Sequence, residues 1–203
     1  IDLNQHQLTH FWQAADGTPF NSIQKLSNEL ENSGHTLLFA INSGSYTTAD
    51  TPLGLHIEDA QVLVPLNVVT SNVGAGNFSL LPNGVFYITE EHRAEIVTTE
   101  AYRALSDEVK HSILHATQSG PMLIVDGEYN RRLIPNSRSL RIRSGVCAKE
   151  EIITFVVTED EVNFYDFATF FKERLQCDNA LYLDGSLARI YFDGRFYGAS
   201  ALS

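Results

Sequence analysis

Five of the 14 basic residues fall within residues 131–143: Arg131, Arg132, Arg138, Arg141 and Arg143. No acid lies between Glu128 and Glu150, although the chain as a whole carries a formal charge of −11. Guanidinium groups donate in a planar fork, which suits a phosphate or a carboxylate. The alternation predicts a half-buried strand over 139–143. Arg141 and Arg143 would lie on one face of it, Leu140 and Ile142 on the other. A solvated edge strand guarded by charge has the same pattern, so both readings stand.

Two further segments bring polar chemistry to strand ends. Asn42-Ser43-Gly44 follows an apolar run at 36–41. A turn there exposes backbone N–H groups and an amide, and Gly44 permits close approach by a ligand; a plain turn is the alternative. Asn179 and Asp184-Gly185-Ser186 place an amide, a carboxylate and a hydroxyl around the apolar run at 180–183. The carboxylate suits general acid–base work or orientation of sugar hydroxyls. Taken alone, Asp-Gly is also an ordinary hairpin turn.

Other patterns carry less. Gly74, Gly76 and Asn77 lack the third glycine and the following helix of a dinucleotide-binding loop. His111 and His115 stand four apart on an expected helix but without a catalytic Glu between them, and read as surface residues. No Gly-x-Ser-x-Gly elbow anchors a hydrolase triad. No metal ligand set and no cofactor cassette is expected, although a calcium site built from oxygen ligands leaves little trace in a sequence.

These residues need a scaffold. With 203 residues and 43% apolar content, one α+β domain spanning 1–203 is expected. Acid excess argues against a nucleic-acid partner and against anionic membranes. No apolar run reaches the roughly 18 residues of a membrane span. Helices are expected at 22–32, 100–116 and 163–176. The last carries a stripe of Phe164, Phe167, Phe171 and Leu175 behind an Asn163 cap, with Asp166 three residues on. Strands are expected at 36–41, 53–58, 61–64, 85–88, 121–125, 139–143, 152–157, 180–183 and 188–192. Strands outnumber helices and links are short, so a mixed β-sheet core with about three helices fits better than a doubly wound fold. Cys147 and Cys177 are either two buried thiols or a disulfide. The chain opens at Ile1, and export with removal of a leader is the expectation.

Read together, the motifs resemble a known family. Phe39-Ala-Ile-Asn-Ser-Gly-Ser-Tyr46, Thr51-Pro-Leu-Gly-Leu-His-Ile-Glu58, Gly76-Asn-Phe78 with Pro82-Asn-Gly-Val-Phe86, Gln118-Ser-Gly-Pro-Met-Leu123, Arg141-Ile-Arg-Ser-Gly-Val146 and Cys177-Asp-Asn-Ala-Leu-Tyr-Leu-Asp-Gly185 occur in order. The chain resembles the phosphodiester glycosidases, and is closest to their compact bacterial branch. Asn42 and Gly44 match the family's Asn-x-Gly turn, Arg143 its Arg-x-x-hydrophobic segment, and Asn179, Asp184 and Gly185 its Asn-Ala-x-x-Leu-Asp-Gly segment. The chain departs from the best-known relative after Gly185, where Ser186-Leu187 replaces further glycines.

The resemblance implies hydrolysis of a sugar 1-phosphodiester at the anomeric C–O bond, giving a sugar and a phosphomonoester. Asp184, Arg143 and Asn42 would be catalytic; Gly44, Arg141, Asn179, Gly185 and Ser186 would hold substrate. Arginine would stabilise the growing phosphate charge, and Asp184 would activate water or support an oxocarbenium-like centre. Glu58, Asp126 and Asp166 are the weaker carboxylates. The expected partner is a small-molecule or glycan phosphodiester. One rival is a non-catalytic carbohydrate-binding or envelope module for anionic glycans. The other is attack at phosphorus.

Overall fold

The computed structural model describes residues 1–68, 76–185 and 187–199. Its α+β architecture is mostly strand. The elements in chain order are α1 (Ile23–Asn32), β1 (Phe39–Ile41), β2 (His56–Glu58), β3 (Gln61–Val64), β4 (Gly84–Thr89) and β5 (Ala94–Thr98). Then come α2 (Thr99–Ala104), α3 (Asp107–Ser112), β6 (Ile113–Ser119), β7 (Met122–Val125), β8 (Glu128–Tyr129), β9 (Ser144–Lys149) and β10 (Ile152–Val157). The chain continues through α4 (Phe164–Thr169), β11 (Ala180–Tyr182), β12 (Arg189–Phe192) and β13 (Arg195–Gly198).

Three antiparallel sheets result, ordered β3-β2-β6-β4-β5, β10-β9-β11-β7-β8 and β1-β12-β13. Strand β4 shows why the first sheet lies inside: all of its residues are buried. Side chains alternate between its faces. Phe86 and Ile88 join the main core with Met122, Val146, Phe171 and Leu181, while Val85 and Tyr87 join a second cluster with Leu55, Ile57 and Tyr102.

Helix α1 forms as expected, with Ser22 accepting from the Lys25 N–H at 3.2 Å and Gly34 in the left-handed region just past its end. Asn163 caps α4 by accepting from the Asp166 N–H at 2.9 Å, and its amide reaches the Asp166 carboxylate at 2.8 Å. The helix then widens into a π-helical turn over Phe170–Arg174.

Two expected elements differ. The helix expected at 100–116 is two short helices and a strand. Leu105 is extended, Ser106 caps α3, and from Ile113 the chain pairs with β2 and β4. His115 therefore lies in a strand and is buried, and only His111 is a surface residue. The strand expected at 139–143 does not form; β9 begins at Ser144, and Arg141 makes only an isolated bridge to Val162.

Cys147 of β9 is bonded to Cys177, just ahead of β11. The bridge ties the π-helical turn to the centre of the second sheet. No described helix is long and apolar enough to cross a membrane.

Candidate active site

The site is built around the chain that leaves β11. Strand β11 pairs with β9, which places Leu183 and Asp184 against Ser144: the Leu183 N–H donates to the Ser144 carbonyl at 2.9 Å, and the Ser144 N–H donates to the Asp184 carbonyl at 2.8 Å. The Asp184 N–H donates to Ser144 Oγ at 3.1 Å, so its backbone is held from both sides. Asp184 Oδ1 accepts from the Gly185 N–H at 2.6 Å. Asp184 Oδ2 is buried with no hydrogen-bond partner among the described residues. Burial pushes the Asp184 carboxyl above the usual aspartate range, against the Gly185 hydrogen bond.

Tyr182 stands between this carboxylate and Arg143. Its hydroxyl accepts from Asn77 Nδ2 at 3.1 Å. Burial first and the Asp184 charge second push its pKa up to about 12, while Arg143 and Asn77 oppose the rise. Gly185 is required by this phenol: a Cβ there would come within 2.5 Å of the Tyr182 hydroxyl oxygen.

Arg143 is not the open anion receptor that its spacing with Arg141 suggests. It is 1% exposed. Its Nε donates to the Val162 carbonyl at 2.8 Å and one terminal nitrogen to the Ser139 carbonyl at 2.9 Å. The guanidinium lies 3.6 Å over the Phe164 ring, and Tyr182 packs edge-on to that ring at 4.8 Å. Burial lowers the guanidinium pKa, with Tyr182 opposing and the like charge of Arg141 adding to the fall. A guanidinium keeps its proton under such conditions. Arg143 is thus a buried cation that fixes the loop at 139–143, the start of α4 and the Tyr182 phenol around Asp184. Arg141 is exposed, and its Nη1 donates to the neighbouring Leu140 carbonyl at 2.6 Å.

Asn42 arrives from the third sheet. Its Oδ1 accepts from the Arg189 N–H at 3.1 Å, which binds the end of β1 to β12 just downstream of Gly185. The Ala188 N–H in turn donates to the Gly185 carbonyl at 2.6 Å. Gly44 has φ +63°, and a Cβ there would fall 2.6 Å from Thr117 Oγ1, so the turn needs glycine on two counts. Tyr46, on the same turn, has its phenol pKa raised, first by burial and then by the Asp184 and Asp50 charges. A cleft of about 1,080 Å³ is lined by Asn42, Gly44, Tyr46, Leu183 and Leu187, so it opens beside the segment that carries Asp184.

The remaining sequence candidates lie elsewhere or serve the scaffold. Asn179 Oδ1 accepts from the Asp126 N–H at 3.0 Å and holds the β7–β8 turn. It precedes β11, whereas Asp184 follows it; five residues of extended chain separate them, roughly 16 Å. Asn179 is therefore not brought to the Asp184 loop. Ser186 lies outside the described residues, as do residues 72–75 of the glycine-rich loop. Glu58 pairs with His56 at 2.7 Å, and Asp166 serves the α4 cap. Among the described residues, no group of three or more His, Cys, Asp or Glu side chains is placed to hold a metal ion.

The order of these motifs has a counterpart in known proteins. Residues 35–194 match the phosphodiester glycosidase family. The chain belongs to that family. It is 36% identical over 195 residues to the uncharacterized protein YigE of Escherichia coli strain K12, covering 96% of this chain and 73% of that one. In fold it is similar to the zebrafish N-acetylglucosamine-1-phosphodiester alpha-N-acetylglucosaminidase catalytic domain, solved auto-inhibited by its pro-peptide, with a TM-score of 0.54 and 19% identity. That likeness covers 78% of this chain but only 54% of the zebrafish one. A hypothetical protein from Synechocystis is similar at a TM-score of 0.50 and 14% identity, over 86% of this chain and 50% of its own.

Asn42, Gly44, Arg143, Asp184 and Gly185 all fall inside the phosphodiester glycosidase match, whereas residues 1–34, including α1, fall outside it. Sequence reasoning missed Tyr182, Asn77 and Tyr46. Each lies within a motif named above, but Tyr182 sits in an apolar run and reads as core, and Asn77 was set aside with the glycine-rich loop. The contacts that make Tyr182 a hinge of this site span more than 100 residues of chain.

Proposed function

We propose that this chain hydrolyses a sugar 1-phosphodiester at the anomeric C–O bond. Family membership supports the reaction class. The single observation that supports Asp184 as its centre is the buried carboxylate oxygen with no partner among the described residues, beside a cleft. An orphaned buried carboxylate costs folding energy and is characteristic of a group reserved for chemistry. Water attacks the anomeric carbon, the bond from that carbon to the phosphate oxygen breaks, and its electron pair leaves with the phosphomonoester. The water proton passes to Asp184 and then to solvent. A carboxylate whose pKa is raised by burial is a better base for this than an ordinary aspartate. Asn42 contributes an amide from the cleft wall. Arg143 acts as a positioning residue, whose charge orders Tyr182 beside Asp184. The Cys147–Cys177 disulfide supports an exported protein, since such bridges persist in oxidising compartments.

Hydrolysis of a sugar 1-phosphodiester in heavy-oxygen water tests the reading. Mass spectrometry is expected to find the label in the released sugar. Label confined to the phosphate would mean attack at phosphorus, and no release of either product would leave a carbohydrate-binding module.

A further inference from the structure

We propose that the cleft beneath α1 is a subsite for an aliphatic chain, so that the preferred substrate is a sugar 1-phosphodiester whose second ester carries a long hydrocarbon group. The proposal rests on the reading of Asp184 as the centre for such diesters, and adds the class of the aglycone.

Three observations carry it. First, α1 is amphipathic, with Ile23, Leu26 and Leu30 in one stripe, yet the only buried residue of the helix is Ser27. A surface helix normally presses its apolar stripe into the core. Here the three side chains belong to neither core cluster and line the cleft instead. Second, further apolar side chains line the same cleft: Phe39, Ile41, Phe86, Phe155 and Leu183. No lysine or arginine is among the lining residues. His10 on the floor is held uncharged at neutral pH, its pKa lowered to about 3, chiefly by burial. Polar side chains also line the cleft, among them Asn21, His35, Asp50 and Asp59, but the apolar side chains of α1 and β1 are the part that suits methylene groups. The cleft volume of about 1,080 Å³ is at the upper end of ordinary ligand pockets, roughly 300–1,000 Å³. Third, the cleft extends to the catalytic side: Asn42, Gly44 and Tyr46 line it, as do Leu183 and Leu187 on either side of Asp184, although Asp184 itself does not. A chain esterified to the phosphate would run from beside Asp184 past Asn42 and Tyr46 into the cleft. The α1 wall lies outside the stretch matched to the family, so it can set substrate choice without altering the shared centre.

Binding can be read without turnover. Trp12, the single tryptophan, lines the cleft with its indole N–H donated to the Asp50 carbonyl at 2.8 Å. Its fluorescence is to be titrated with butyl, octyl and dodecyl phosphate below their micelle concentrations. Burial of one methylene strengthens binding about fourfold, ~0.8 kcal/mol. Octyl phosphate is expected to bind at least tenfold tighter than butyl phosphate. Leu26→Glu and Leu30→Glu place a carboxylate in the cleft; each is expected to remove most of that gain while leaving butyl phosphate affinity and the thermal midpoint near those of the unaltered chain. Affinity independent of chain length overturns the proposal, and so does a gain that survives both substitutions. A parallel assay compares kcat/KM for methyl and octyl sugar 1-phosphodiesters. A chain-length gradient in binding with neither diester cleaved retains the subsite and removes the hydrolase reading. Equal cleavage of both, with no gradient in binding, does the reverse.

Discussion

At the scale of single residues, Asp184 combines two properties that ordinarily exclude one another. Its backbone is fixed by three hydrogen bonds to Ser144, yet one of its carboxylate oxygens is buried without a partner among the described residues. Its pKa is raised in the folded state, so the folded protein holds that proton more tightly than the unfolded chain does. The linkage sign follows: as pH rises above the ordinary aspartate value, ionisation costs the folded state stability. At neutral pH Asp184 is therefore a liability that only function justifies. Asp184→Asn keeps an oxygen for the Gly185 N–H and removes the charge. Turnover is expected to fall at least a hundredfold, the usual range for loss of an acid–base group, while the thermal midpoint rises. Kinetics and a melting curve on the same preparation check this; a fall in both activity and midpoint would make Asp184 a structural residue.

At the residue scale, Asn42, Gly44, Asp184 and Gly185 stand out in the sequence through the family resemblance, since Asn-x-Gly and Asp-Gly taken alone are ordinary turns. The shared open strand face expected for Arg141 and Arg143 does not form and Arg143 is buried, because exposure is not written in a spacing. A guanidinium two residues from another looks like half of an anion clamp, but here Phe164, Val162 and Ser139 close over one of the pair. The histidine cluster of the first sheet was also missed, since its members come from three separate segments.

At the scale of elements, the strong local signals held. Helices α1 and α4 have both a periodic stripe and a cap, and both lie where the pattern puts them. The segment at 113–119 went the other way. Its residues tolerate a helix, but it has a strand partner on either side, and pairing overrides propensity. The Cys147–Cys177 bridge acts at this scale too. It joins a central strand to the loop entering β11 across a separation of 30 residues. Closing a loop of that size stabilises by ~3.5 kcal/mol in the chain-entropy model. Cys147→Ser with Cys177→Ser is expected to lower the unfolding free energy by about 2–4 kcal/mol in denaturant titration. Turnover of the folded fraction should stay within about tenfold, because the bridge holds the strand that leads to Asp184 but does not reach the carboxylate. A far larger loss of turnover in folded protein would give the thiols a direct role.

At the scale of the molecule, the N-terminal segment is fastened across the first sheet by a buried histidine cluster. His10 stacks on His56 of β2 at 5.8 Å between ring centroids and tilts against His115 of β6 at 5.7 Å. Phe86 of β4 packs on the same ring at 6.1 Å, and Trp12 meets His56 edge-on at 6.2 Å. The charged groups facing the cluster are Glu58, paired with His56 at 2.7 Å, and Asp59, 3.7 Å from His115. Burial leads the fall of the His10 pKa to about 3, and the charges of His56 and His115 add to it; a hydrogen bond to the Ala116 backbone opposes. Burial also lowers His115, against Asp59 and Glu58. For groups held neutral in this way the unfolded chain takes up protons first. Their stabilisation is whole above the unfolded value near 6.5 and declines as pH falls from there towards the folded value. For His10 alone the loss reaches about 2 kcal/mol by pH 5, at 1.36 kcal/mol per unit. Denaturant midpoints between pH 7.5 and pH 5 should therefore drop. In His10→Gln, which keeps a donor for the Ala116 backbone and cannot charge, the drop should be smaller by roughly that amount. Because the same segment forms one wall of the cleft, limited proteolysis ahead of α1 should accelerate on acidification in the parent chain and much less in the variant. Identical pH dependence of the two proteins would mean that the cluster does not hold the segment down.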